Sequence, residues 1–268
     1  MLSGFGQATV KGEGAAVSYD TAQEAWTSRY THETVALAFA LTEEAIEDNL
    51  YDTLSSRYTR ALARSMSTTK QVKAANVLNN AFSSSFVGGD GKELCATDHP
   101  TVGAGDLRNE LATAADLNET SLEQALIDIA DFKDERGLKV NAQAVRLIIP
   151  PALQFVADRL MESQGRVGTS DNDINAIRNL GMISGGYTVN NYLTDTDAFF
   201  IKTDVPNGLK HFVRTPVSTS MEGDFETGNV RYKARERYSF GFSDWRGIFG
   251  SPGALSLIHI SEPTRPSS

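Results

Sequence analysis

Residues 230–242 read VRYKARERYSFGF, and they sort into two chemically different sets at every second position. Val230, Tyr232, Ala234, Tyr238, Phe240 and Phe242 form one set, interrupted by Glu236; Arg231, Lys233, Arg235, Arg237 and Ser239 form the other. Side chains alternate across a strand, whereas a helix would mix the two sets, so the segment is predicted to be a long strand with one apolar and one basic face. Four cations on one face repel one another. Either acidic groups cover them, as those of another subunit would, or they stay solvated on a sheet edge, where charge discourages aggregation. The first reading makes the chain a building block.

Upstream of that strand, further strands are predicted at 187–192, 198–202, 209–214 and 217–225. Turns are expected at 195–197, 206–208 and 226–229, where Asp, Pro, Asn and Gly gather. Earlier in the chain a helical period takes over. Thr42 is placed to cap a helix with Glu43 and Glu44 in its first turn. Ile46, Leu50, Leu54, Tyr58, Ala61, Leu62 and Met66 then mark one stripe, and Val72, Ala75, Leu78 and Phe82 keep the spacing beyond a weaker region at 67–69. Two alternatives follow: an unbroken helix over 42–82, about 60 Å long at the standard rise, or two packed helices broken near 67–69.

The middle and the start complete an α+β reading. A helix is predicted from Ser121, with Leu122, Ala125, Leu126, Ile129 and Phe132 inward and Gly137 as its stop. Residues 145–149 read as a short strand. Pro150-Pro151 then opens a helix burying Leu153, Val156, Leu160 and Met161, followed by an exposed loop at 164–171 and a short helix at 174–180. Residues 88–91 are a turn cluster and 94–106 an ordered loop. Residues 8–11 and 15–19 read as arms of an extended β-hairpin turning at 12–14, with 27–39 as the return strand. Such an arm buries little alone, so it is expected to lie on a neighbour; the alternative is a mobile surface hairpin.

Composition bounds the function. With 40% hydrophobic and 22% charged residues the chain can build a core and is not wholly disordered. A net charge of −9 argues against binding duplex nucleic acid over the whole surface, though not against enclosing it. A single cysteine, Cys95, excludes an internal disulfide and a thiolate-rich metal site. No run reaches the apolar length of a membrane span. The glycine-rich start predicts a missing N-terminal arm. The run SLIHISEPTR resembles a translated sequencing adapter, so residues 255–268 are set aside from the fold.

Candidate chemistry is sparse. Cys95, Asp98 and His99 lie within five residues of one another, whereas nucleophilic triads usually gather their members from distant elements. The local reading is a tight loop in which Asp98 or His99 caps backbone groups; the rival is a Cys–His hydrolase. No glycine cluster sits in the strand–turn–helix frame of a dinucleotide site or carries a phosphate-loop lysine. Glu43, Glu44, Glu47 and Asp48 form an acidic run that reads as a solvated or inter-subunit face and offers a counterpart to Arg231, Lys233, Arg235 and Arg237. No catalytic residue, metal ligand or cofactor is assigned, and the chain reads as a non-enzyme.

Four pieces resemble the major capsid proteins of tailed bacteriophages, specifically the Mu-like major head subunit family. They are the glycine-rich hairpin with the 42–82 helix, DGKELCATDHP at 90–100, LIIPPALQFVADRL at 147–160 and VRYKARERYSFGFSDWRGIFG at 230–250. The resemblance implies an HK97-type capsid fold. Residues 1–40 would be an extended loop, 41–104 with 216–254 a peripheral domain carrying a spine helix, and 105–215 an axial domain. It implies a structural head protein of the virion, assembled in the host cytoplasm from hexamers and pentamers of itself. A scaffold, a portal and a maturation protease would be further partners, with packaged DNA met by non-specific proximity. Lys11, at the hairpin turn, joins the acidic run and the basic strand as a candidate inter-subunit residue. An encapsulin-like nanocompartment shell is the alternative.

Overall fold

A computed structural model describes residues 3–48, 51–165 and 174–254, with side chains described except at 51–54. Its strands are β1 (Glu33–Leu41), β2 (Ala144–Ile149), β3 (Tyr187–Val189), β4 (Phe199–Thr203), β5 (Leu209–Gly223), β6 (Val230–Phe242) and β7 (Ile248–Ser251). Its helices are α1 (Glu43–Glu47), α2 (Tyr51–Asn79), α3 (Glu119–Ala130), α4 (Gln154–Glu162) and α5 (Ala176–Leu180). The strands form two sheets, β1-β6-β5 and β3-β2-β4-β7.

β6 is the middle strand of the first sheet and pairs antiparallel with both neighbours. One face of that sheet is covered by α2: Leu62 and Met66 pack on Ala234, flanked by Val35 and Phe39. Phe39 stacks on Tyr232 at 5.0 Å and meets Tyr58 edge-on at 5.5 Å. Glu236, the exception in the apolar set, is 2% exposed. Lys70 of α2 reaches its carboxylate at 2.7 Å and lies 5.1 Å from the centre of the Tyr238 ring. The covered face holds a carboxylate because the helix brings a cation to meet it.

The second sheet is covered on both sides, which explains why β4 buries Phe199, Phe200 and Ile201 in succession instead of alternating. On one side Leu147, Ile149, Phe199, Ile201 and Phe249 meet Leu122, Ala125 and Ile129 of α3 and Ala157 and Leu160 of α4. On the other, Phe200 and Ile248 meet Leu78 near the end of α2, together with Ala81, Leu94 and Cys95. Asn118 caps α3 through a reciprocal pair of bonds with Ser121.

Several boundaries differ from the sequence reading. Helix α2 runs through 67–69 without a break, and the Thr69 hydroxyl donates to Ser65 O at 3.0 Å along it. Its 29 residues span about 43 Å, short of the 60 Å expected for 42–82. Thr42 caps α1 as expected, and α1 stops at Glu47 with Asp48 as its C-cap. Leu50 and the Leu54 side chain lie outside the described residues. The separate strands expected at 209–214 and 217–225 are the single strand β5. Its pairing with β6 slips between Val213 and Thr215 and between Thr215 and Ser218, beside Pro216, which has no N–H to donate.

The return strand begins at Glu33, not 27. Tyr30 sets its ring 4.8 Å from Phe212 and its hydroxyl against Ser243, drawing residues before 33 away from the β6 ladder. β3 keeps only Tyr187–Val189 of 187–192. Gly137 does not stop α3, which ends at Ala130; it occupies a turn closed onto Asp134, with φ of 87°. A 3-10 turn at Pro151–Leu153 precedes α4. β7, which no period announced, completes the second sheet. Most of the 164–171 loop and the whole of 255–268 lie outside the described residues.

Candidate functional site

The outer face of the first sheet follows from its register. Arg231, Lys233, Arg235 and Arg237 stand opposite Ala40, Ala38, Ala36 and Thr34 of β1 and opposite Glu222, Ser220, Ser218 and Thr215 of β5. All four cations are exposed. They rise from a floor that is otherwise almost entirely small side chains. Arg231 is neutralised within the chain by Asp224, whose carboxyl is held below the ordinary range by the Thr227 hydroxyl and by Arg231 itself. Lys233, Arg235 and Arg237 make no ion pair with another described residue. The face is a positively charged surface set in a chain of net charge −9.

Of the acidic run, Glu43 and Glu44 occupy the first turn of α1, and Glu47 and Asp48 are exposed at its end. Gly228, in the turn between β5 and β6, lies so close to Glu43 that a Cβ there would strike its carboxylate. α1 and that turn therefore meet at one end of the sheet. None of these four acids pairs with the basic strand of the same chain among the described residues. At the tip of the same turn Phe225 is fully exposed.

Residues 3–23 double back on themselves. Ser3 N donates to Gln23 O at 2.8 Å, Gln23 N to Ser3 Oγ at 3.0 Å, and Gly6 N to Asp20 Oδ2 at 2.8 Å. The Thr9 and Ser18 hydroxyls lie 3.1 Å apart, and Ala15 N donates to Gly12 O at 3.2 Å to close the turn. The expected strands at 8–11 and 15–19 do not form; the chain reverses there without strand structure. The ladder is absent: among the described residues Ser3–Gln23 is the only backbone bond between the arms. Arg136 holds the base through Asp20 at 3.0 Å, and the N–H groups of Gly6 and Thr21 with Arg136 keep that carboxyl below its ordinary range. Lys11, Val10, Val17 and Tyr19 are exposed along the arms.

Cys95 and His99 do not assemble a nucleophile. His99 is fully buried, with Nδ1 2.7 Å from Asp90 Oδ2 and Nε2 3.0 Å from Asn109 Oδ1. The Asn109 amide nitrogen faces the carbonyls of Leu94, Trp245 and Ile248, and its oxygen accepts from Ala96 N, which fixes the amide orientation. Nε2 must therefore donate, and Nδ1 is taken up by Asp90, so both ring nitrogens are engaged away from the thiol. Burial pushes the Cys95 thiol well up, the opposite of activation. Asp98 turns outward to pair with Lys92.

That histidine belongs to a buried polar knot which the sequence reading did not single out. The His99 ring stacks on Trp245 at 4.3 Å, and the Arg246 guanidinium lies 4.1 Å over the Trp245 ring. Arg246 is 1% exposed, bonds Glu135 at 3.0 Å and Asp244 at 3.3 Å, and donates to Lys133 O at 2.6 Å. The knot ties the 90–109 loop and the segment after α3 to the C-terminal strand. No group of three or more metal-ligating side chains gathers among the described residues.

A family model described as "Phage capsid protein" matches residues 23–251. No curated protein sequence matches the chain. Among solved structures, the capsid of the cyanophage P-SCSP1u superposes with a TM-score of 0.57 at 13% identity, covering 94% of this chain and 82% of that one. The capsid of an empty GTA particle gives 0.52 at 13% identity, covering 95% and 81%. The capsid of the Myoviridae phage XM1 gives 0.51 at 12% identity, covering 95% and 84%. At such identities the likeness is one of fold alone, an α+β capsid fold.

Proposed function

Because this chain belongs to the phage capsid protein family, we propose that its intact form is a Mu-like major head subunit that assembles with copies of itself into the icosahedral shell enclosing phage DNA. The observation that carries the reading is the outer face of β1-β6-β5, where three exposed cations make no ion pair with another described residue. On this reading residues 1–40 are the extended loop reaching a neighbour; its last residues pair with β6 as β1, and the stretch before Glu33 supplies the reach. α2 is the spine of a peripheral domain made of 41–104 and 216–254, and 105–215 form the axial domain.

Each subunit meets different neighbours through different patches, the heterologous geometry that closes rings of five and six into a shell. The acidic run Glu43, Glu44, Glu47 and Asp48 of one copy is the counterpart of Lys233, Arg235 and Arg237 of another, while Lys11 sits at a contact made by the loop turn. Charge placed so sets register and rejects wrong pairings as much as it adds affinity. A scaffold, a portal and a maturation protease complete the set of partners, and assembly takes place in the host cytoplasm. Size-exclusion chromatography and electron microscopy of the intact chain test the proposal. Closed shells are expected; a monomer under every assembly condition would overturn it. A shell loaded with protein cargo instead of DNA would favour the nanocompartment.

A further inference from the structure

Helix α2 carries a second basic surface, on the side away from the sheet. Leu62 and Met66 face the sheet; at 3.6 residues per turn, Arg57, Arg60 and Arg64 centre about 170° from them. All three are exposed, and none pairs with another described residue. Lys70 and Lys73, further along the helix, are engaged with Glu236 and Glu33. The one acid in α2 is Asp52, a full turn before Arg57.

This arrangement works against the helix that carries it. Arg57–Arg60 and Arg60–Arg64 are like charges at i,i+3 and i,i+4, and each pair destabilises the helix. Positions three and four residues from each arginine hold Thr53, Leu54, Ser56, Ala61, Ala63, Ser67 and Thr68, so no acid stands at relieving distance. The residues between the arginines are mostly small, which lets an extended polyanion approach the helix closely. Guanidinium forks match phosphate oxygens in pairs, and the stripe contains no lysine. The chain as a whole is acidic, so a cationic stripe this local is aimed at one class of ligand.

We propose that Arg57, Arg60 and Arg64 form a phosphate-backbone contact for duplex DNA, placing the exposed side of α2 toward the enclosed genome. The location rests on the shell reading above, but binding itself does not require a shell. The stripe reads no base edges, so contact is independent of sequence. Three phosphate contacts give a salt slope near −2.7, which corresponds to about a forty-fold loss of affinity between 50 and 200 mM salt.

Fluorescence anisotropy of the unassembled intact chain with a fluorescent 20-base-pair duplex, across that salt range, tests the site. The parent is expected to bind with that slope. The variant R57Q/R60Q/R64Q is expected to lose the binding, keep its helical circular dichroism and form shells in parental yield. A charge-matched control, K233Q/R235Q/R237Q, is expected to retain DNA binding. No binding by the parent, equal binding by the stripe variant, or equal losses in both variants would overturn the proposal. So would loss of shells in the stripe variant alone, which would assign the stripe to a protein contact. If the parent forms no shell yet binds DNA through the stripe, the shell reading fails and the site stands.

Discussion

Arg246 and Arg235 lie near each other in sequence and have opposite surroundings. Arg246 is sealed between Glu135, Asp244 and the Trp245 ring, with every charge answered inside the chain. Arg235 stands in the open on a floor of Ala36 and Ser218, with no ion pair among the described residues. The buried charges beside the four-stranded sheet are paired within the chain, whereas the outer face of the three-stranded sheet carries three cations without an ion pair among the described residues. A buried charge must be paired at once, because its desolvation is not otherwise repaid. An exposed charge costs little to leave waiting for a partner.

Substitutions across the two halves should separate along the same line. The largest effect is expected for Arg246→Ala, which leaves Glu135 and Asp244 as buried carboxylates without a cation. Urea denaturation should show a loss of about 3–5 kcal/mol, and an unchanged midpoint would dissolve the contrast. Glu236→Gln removes the acid that Lys70 meets beneath the sheet. Lys70 keeps part of its hydration, so the expected loss is smaller, about 1–2 kcal/mol by the same measurement.

Glu110 sharpens the comparison with pH. It is half-buried beside Glu93, and burial raises its carboxyl to about 7 from an ordinary value of 4.5. The folded state therefore keeps a proton that the unfolded chain releases, so the penalty is absent below pH 4.5, grows between 4.5 and 7, and is complete above 7. Glu110→Gln should raise the thermal midpoint at pH 8 and leave it unchanged at pH 4. After allowance for its exposure the gain is about 1 kcal/mol. Equal effects at both pH values would show that ionisation is not the cause. The smallest effect on folding belongs to K233Q/R235Q/R237Q, expected within about 0.5 kcal/mol of the parent. Its yield of shells should nevertheless fall, and an undiminished yield would remove the basic face from assembly.

Much of the architecture was legible in local patterns. The boundaries of β6 follow from alternation alone, the α3 core face from its 3.6-residue spacing, and the α1 cap from Thr42 with its two glutamates. What failed were features that depend on distant partners. Nothing local distinguishes residues 67–69 from a helix break; packing of Leu62 and Met66 on one sheet and of Leu78 against the other carries α2 through. β7 is four residues long, too short for any period, and is recruited by pairing with β4. Cys95 and His99 drew notice for their nearness in sequence, yet the partner that decides the histidine is Asn109, an unremarked residue in a loop.

Residue order determines which faces are basic, acidic or apolar, because strand and helix periods assign each side chain to a side without reference to anything remote. It also bounds the chemistry, through one cysteine and few histidines. Which charges are answered is a tertiary matter. Asp224 reaches Arg231 across a turn, Lys70 reaches Glu236 from a helix far away in the chain, and Arg246 finds Glu135 only once the core has closed. Pairing needs approach within a few ångströms, and that distance is set by the folded chain and not by separation along it.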